Sequence, residues 1–72
     1  MNKRMLQAEM ALHGDTGGSL AEYLGIWRST FSAKINETNG AEFTQHEIAA
    51  IKERYGLTAE KIDQIFFEKK VS

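Results

Sequence analysis

The chain contains no cysteine and no proline among its 72 residues. Without cysteine neither a disulfide framework nor a thiolate zinc site can form, and the absence fits a reducing cytosol. Without proline the commonest helix breaker is missing, and six glycines are left to punctuate the chain. No apolar run approaches the ~18–20 residues that a membrane span needs. Residues 1–15, MNKRMLQAEMALHGD, include Lys3 and Arg4 but alternate polar and apolar, so the continuous apolar core of a signal peptide is absent. An excess of one charge is missing too, since 9 Lys and Arg face 10 Asp and Glu for a net charge of −1. The length fits a single domain over residues 1–72. These facts exclude a secreted mini-protein, a membrane protein and most enzymes, and they point to a small cytoplasmic helical module.

What is present has the period of helices. Leu6 and Met10 stand four apart, flanked by Met5 and Leu12, which predicts a first helix over residues 2–13. Gly14 follows in the position after a last turn, and Thr16 is placed to cap a second helix with Leu20, Ala21 and Leu24 inward. Gly17 and Gly18 fall in its first turn, where a helical glycine costs up to about 1 kcal/mol against alanine, so this helix is predicted to begin loosely. Gly25 ends it, and Ile26 opens a tight turn into a third helix over residues 28–36 with Phe31 and Ile35 as its buried pair. Residues 36–42, NETNGAE, have no periodicity and read as the one substantial loop.

The fourth helix start is the most fully written. Thr44 and Glu47 form a T-x-x-E capping box, and Phe43 and Ile48 occupy the two positions of a hydrophobic staple. Ile48, Ile51 and Tyr55 continue the inward face as far as Gly56. Leu57, Thr58 and Ile62 repeat the staple, and Ile62, Ile65 and Phe66 line a fifth helix running into the tail. The predicted fold class is therefore all-α, a compact five-helix bundle, and its expected core includes Leu24, Ile26, Leu57 and Phe66 along with the residues at helical spacing.

Residues 17–35, GGSLAEYLGIWRSTFSAKI, carry the most information. Ala21 lets two helices cross closely, Gly25 can take the positive φ of the turn, and Ile26, Phe31 and Ile35 can pack the second helix beneath the first. This set resembles the helix-turn-helix of phage Cro and CI-type repressor proteins, and it implies a lambda-repressor-like domain with its motif over residues 17–36. In that family the second helix enters the major groove and its outward residues read base edges. The outward set here is Trp27, Arg28, Ser29 and Ser32, with Ala33 at its margin. Two places depart from the family's pattern. Gly17 and Gly18 have no side chain to offer a phosphate, and Trp27 stands where a small capping residue, commonly serine, is usual. Charge departs as well. Residues 17–36 have Arg28 and Lys34 against Glu22, and residues 37–63 are net −3, whereas duplex binders cluster Lys and Arg.

Across its length the chain is similar to the small antirepressors of temperate phages of Gram-positive hosts, the modulators of repression. MNKRMLQAEMALHGD, LAEYLGIWRSTFSAKINETNGAEFTQHEI and IDQIFFEKK carry that likeness. The resemblance implies a partner, the amino-terminal DNA-binding domain of the phage's CI-type lysogeny repressor. It also implies an outcome, in which the repressor is kept off its operators and the phage is tipped toward the lytic cycle in the host cytoplasm.

The residues themselves point to a protein target. An exposed tryptophan beside an arginine is what an interface hot spot looks like. The expected partner-binding set is Tyr23, Trp27, Arg28, Ser29, Phe31, Ser32 and Lys34, where Phe31 fills a core place and can at most show one edge. Two other arrangements stay open: Trp27 folded back over Tyr23, or a Cro-like repressor that touches operator DNA through Arg28, Ser29, Ser32 and Lys34, alone or together with the CI-type repressor. His13 and His46 each lack a second histidine one turn away, and no nucleophile has a base arranged around it. No metal, cofactor, small-molecule substrate or catalysis is expected. Lys69 and Lys70 suit a solvated helix end, and Phe67 either widens the core or forms a second exposed apolar site.

Overall fold

The computed structural model describes residues 1–67, whose regular structure is all helical with no strand among them. In chain order it comprises α1 (Lys3–Leu12), α2 (Gly17–Leu24), α3 (Arg28–Ile35), a 3-10 turn (Thr38–Gly40), α4 (Gln45–Tyr55) and α5 (Ala59–Ile62), which runs on as a π-helical turn (Asp63–Phe67). The predicted end of the fifth helix, with Lys69 and Lys70, lies outside the described residues. None of these helices is long and apolar enough to cross a membrane.

The helix starts follow from local chemistry. Asn2 caps α1 by accepting the Met5 N–H at 3.2 Å. At α4 the capping box closes in both directions: Thr44 accepts the Glu47 N–H at 3.1 Å, and the Glu47 carboxylate accepts the Thr44 N–H at 2.9 Å. Thr58 caps α5 by accepting the Lys61 N–H at 3.1 Å. Gly25 and Gly56 end their helices in the left-handed region, φ 73° and 62°. Each is followed by a bond that closes the helix end, from the Ile26 N–H to the Ala21 carbonyl and from the Leu57 N–H to the Lys52 carbonyl, both at 3.0 Å.

The start of α2 differs from the loose one expected. Thr16 and Ser19 exchange hydrogen bonds of 2.8 and 3.1 Å, and the Ser19 hydroxyl also donates to Asp15 at 2.7 Å. Neither Gly17 nor Gly18 has a positive φ, and a Cβ on them would sit 3.6 Å from the Phe31 ring and 3.5 Å from Arg28 Nε, both ordinary contacts. Gly17→Ala and Gly18→Ala are therefore each expected to stabilise the domain by up to about 1 kcal/mol. The check is a higher urea midpoint at unchanged m-value; a lower midpoint would show that the first turn needs its glycines.

Leu6, Leu20, Ile51 and Ile65 are fully buried at the centre. Phe31, Phe43 and Phe66 meet edge to face, with ring centroids 5.6 and 5.8 Å apart, and tie α3 and α4 to the π-helical turn. Four expected core residues are only partly buried: Leu24, Ile26 and Leu57 beside the turns at Gly25 and Gly56, and Phe66 near the end of the fold. Ile65 is more deeply buried than Phe66 because the π-helical turn packs against α1, where the Asn2 N–H donates to the Ile65 carbonyl at 2.6 Å. Leu12 is exposed because two residues of helix rotate it about 200° away from Met10.

Candidate functional site

Gly25 sets the geometry of the exposed surface. Its left-handed turn sends the chain back on itself, so that Ile26 packs inward while Trp27 is released outward. Trp27 is the N-cap residue of α3, with φ −69° and ψ 149°, and its side chain makes no capping hydrogen bond. The indole is 81% exposed and stacks on no ring among the described residues, so the arrangement folded over Tyr23 is not the one adopted. Tyr23 is itself 44% exposed on the preceding helix.

Arg28 extends across the first turn of α2. Its Nε and Nη2 lie 3.5 and 3.7 Å from the point a Gly18 Cβ would occupy. Among the described residues it has no hydrogen bond and no ion pair. Ser29 and Ser32 are exposed on α3. The Asn36 amide donates to the Ser32 carbonyl at 2.9 Å, and its oxygen accepts the Lys3 ammonium.

Two members of the expected set are placed differently. Phe31 is 3% exposed, with its ring against Phe43, so it supports the surface from beneath and presents no edge. Lys34 is not an outward cation. Its ammonium donates to Glu47 at 2.6 Å, and the two side chains are 15% and 8% exposed. Burial alone would raise the Glu47 pKa, but the Lys34 ammonium and the Thr44 N–H and hydroxyl outweigh it, and the carboxyl titrates below its ordinary value. Tyr23, Trp27, Arg28, Ser29 and Ser32 remain accessible.

A cluster behind Tyr23 was invisible in the sequence. Arg54 reaches from α4 to Asp15 with two parallel bonds of 2.8 Å, and its guanidinium lies 4.4 Å from the centre of the Tyr23 ring. The Tyr55 hydroxyl donates to the same carboxylate at 2.6 Å, and His13 stacks on the Tyr55 ring at 4.6 Å. The Asp15 side chain is 5% exposed, and the Arg54 guanidinium above all holds its carboxyl well below the usual range. Burial, followed by the bond to Asp15, pushes the Tyr55 hydroxyl up. This cluster fixes the ends of α1, α2 and α4 together and backs the Tyr23 ring. Asp15 and Arg54 are 39 residues apart, and nothing local in the sequence signals the pair.

A hollow of about 160 Å³ lies between α3, α4 and the π-helical turn, with Phe43, Ile48 and Phe66 among its lining and Lys34 and Phe67 also bordering it. That is below the ~300–1,000 Å³ typical of small-molecule pockets. Phe67, 48% exposed, therefore borders a hollow and is not part of the core. No group of three or more His, Cys, Asp or Glu able to hold a metal ion occurs among the described residues. Comparison with protein-family models, with curated proteins and with solved structures finds no match to this chain.

Proposed function

We propose that the chain is a phage antirepressor of the modulator-of-repression type. In this reading it is a lambda-repressor-like helix-turn-helix domain of the host cytoplasm that uses the α2–α3 face to bind another protein. Its partner is the amino-terminal DNA-binding domain of the phage's CI-type lysogeny repressor. Binding covers the repressor's own DNA-reading surface, keeps it off the operators and favours the lytic cycle. The observation that carries the reading is the Trp27 indole, 81% exposed at the head of α3 where a duplex reader places a small capping hydroxyl. Large aromatic side chains beside arginine dominate the energy of protein interfaces. Lys34 supports the same side, because its pairing with Glu47 leaves Arg28 as the uncompensated cation of α2 and α3. A duplex binder gains affinity from several phosphates at once.

The second reading, an operator-binding Cro-like repressor, draws on Arg28, Ser29 and Ser32, which lie exposed on a short helix following a tight glycine turn. One NMR experiment separates the two. The labelled chain is titrated with the co-encoded repressor's amino-terminal domain and, in parallel, with operator duplex. Under the antirepressor reading the domain shifts amides of residues 17–36 and the duplex alone does not. Shifts confined to α4 and α5 would place the interface elsewhere. Tight duplex binding with steep salt dependence would replace the proposal with the Cro-like one.

A further inference from the structure

Resting on the reading of the α2–α3 face as a protein-docking surface, we infer that Arg28 is a carboxylate-binding anchor. The epitope it fits is an aspartate or glutamate of the partner standing beside an apolar socket that receives Trp27.

The inference comes from where the cations go. Lys34 is held by Glu47, Arg54 by Asp15 and the Tyr23 ring, and Lys3 by the Asn36 side chain. Arg4, Lys52 and Lys61 likewise meet no acceptor among the described residues but stand on α1, α4 and α5; on α2 and α3 the cation left without one is Arg28. Its Nε and Nη2 lie 3.5 and 3.7 Å from the point a Gly18 Cβ would occupy, so the guanidinium stands beside the first turn of α2. Arginine presents donors in a planar fork that matches a carboxylate with two parallel bonds.

The indole is next to it in the chain. Both side chains stand exposed at the head of α3, so a partner that covers the indole also removes water from that end of the helix, a shielding that an exposed ion pair lacks. One uncompensated guanidinium and one large apolar ring at the head of the same helix describe a mixed acidic and apolar protein epitope. A run of phosphates would call for several such cations.

Calorimetry with the full chain and the repressor's amino-terminal domain tests this. Arg28→Glu is expected to weaken binding at least about tenfold, and Arg28→Lys several-fold, since the charge is kept but the fork is lost. Gly18→Gln, whose side chain would extend from a Cβ 3.5 Å from Arg28 Nε and so displace the guanidinium, is expected to weaken binding several-fold with Arg28 intact. Replacing the matching partner Asp or Glu with Arg is expected to weaken the parent complex and restore Arg28→Glu binding to within about threefold of the original.

Arg28→Glu binding as tightly as the parent would overturn the inference, and a simultaneous loss in Trp27→Ser would leave the docking reading intact. A loss in Arg28→Glu that no acidic position of the partner rescues overturns the carboxylate assignment. Unchanged binding in both Arg28→Glu and Trp27→Ser removes the inference and the docking reading together. Operator duplex bound by the chain alone and released by Arg28→Glu would assign the guanidinium to a phosphate, which also overturns it. Circular dichroism of each variant confirms that the helices are retained; Arg28 is exposed and bonded to nothing described, so its replacements leave the core untouched.

Discussion

A Trp27→Ser chain is expected to bind the repressor's amino-terminal domain at least about 30-fold more weakly than the parent, a loss of about 2 kcal/mol or more. The size follows from the side chain. An indole buries more area than any other residue type when a partner covers it, and Trp27 has most of that area still in water. Its direction separates two kinds of surface. A duplex reader would tolerate serine at the head of α3 and could gain from it, because serine is the residue such helices ordinarily carry there. Titration calorimetry reads the protein arm and an operator shift reads the DNA arm. Parent-like affinity for the repressor domain in Trp27→Ser would remove the indole from the interface.

The second large effect concerns stability. Asp15→Asn is expected to destabilise the domain by about 2–3 kcal/mol, or roughly 10–20 °C in Tm. The carboxylate accepts two bonds from Arg54 and one each from Tyr55 and Ser19. A neutral amide cannot accept all four, and it leaves Arg54 without its counter-charge. For a small domain with on the order of 5 kcal/mol of net stability, such a loss is severe.

The same carboxylate sets the response to acid. Its pKa is lowered in the folded state, so its contribution is complete above the unfolded value of about 3.9 and is lost as pH falls from there toward the folded value. Glu47, also lowered, acts in the same direction. Chemical denaturation at pH 7 and at successive steps below pH 4 should therefore show stability falling with acid in the parent. The fall should be shallower in Asp15→Asn, which has no charge at that position to lose. Equal acid slopes in the two chains would exclude Asp15 as a source of the dependence.

The parts of the fold that the sequence revealed were those written within one helical turn. The Thr44–Glu47 box, the caps at Thr16 and Thr58 and the left-handed glycines at 25 and 56 depend on neighbours a few residues away, so spacing identifies them. The exposed indole was legible for a related reason, since it breaks a local rule by occupying a capping position. Pairings made across the fold were not legible. Glu47 reads as half of a capping box, and only the packing of α3 against α4 shows that the same oxygen also holds Lys34. Asp15 reads as an ordinary turn residue until α4 brings Arg54 and Tyr55 to it. Lys34 was placed at the surface, and Phe31 was allowed an exposed edge, because helical spacing gives a direction around an axis. It does not give the depth of the neighbours a side chain meets there.

The missing hydrogen bond at the head of α3 has a consequence for how this protein responds to selection. Capping residues contribute about 1 kcal/mol to the helices they begin, and Trp27 forgoes that contribution. A library screened for heat resistance alone would thus enrich serine, threonine or aspartate at position 27. On the proposed reading of Trp27 as the interface anchor, the survivors would be sturdier and would bind the repressor domain poorly. On that reading heat tolerance and recognition pull this one position in opposite directions.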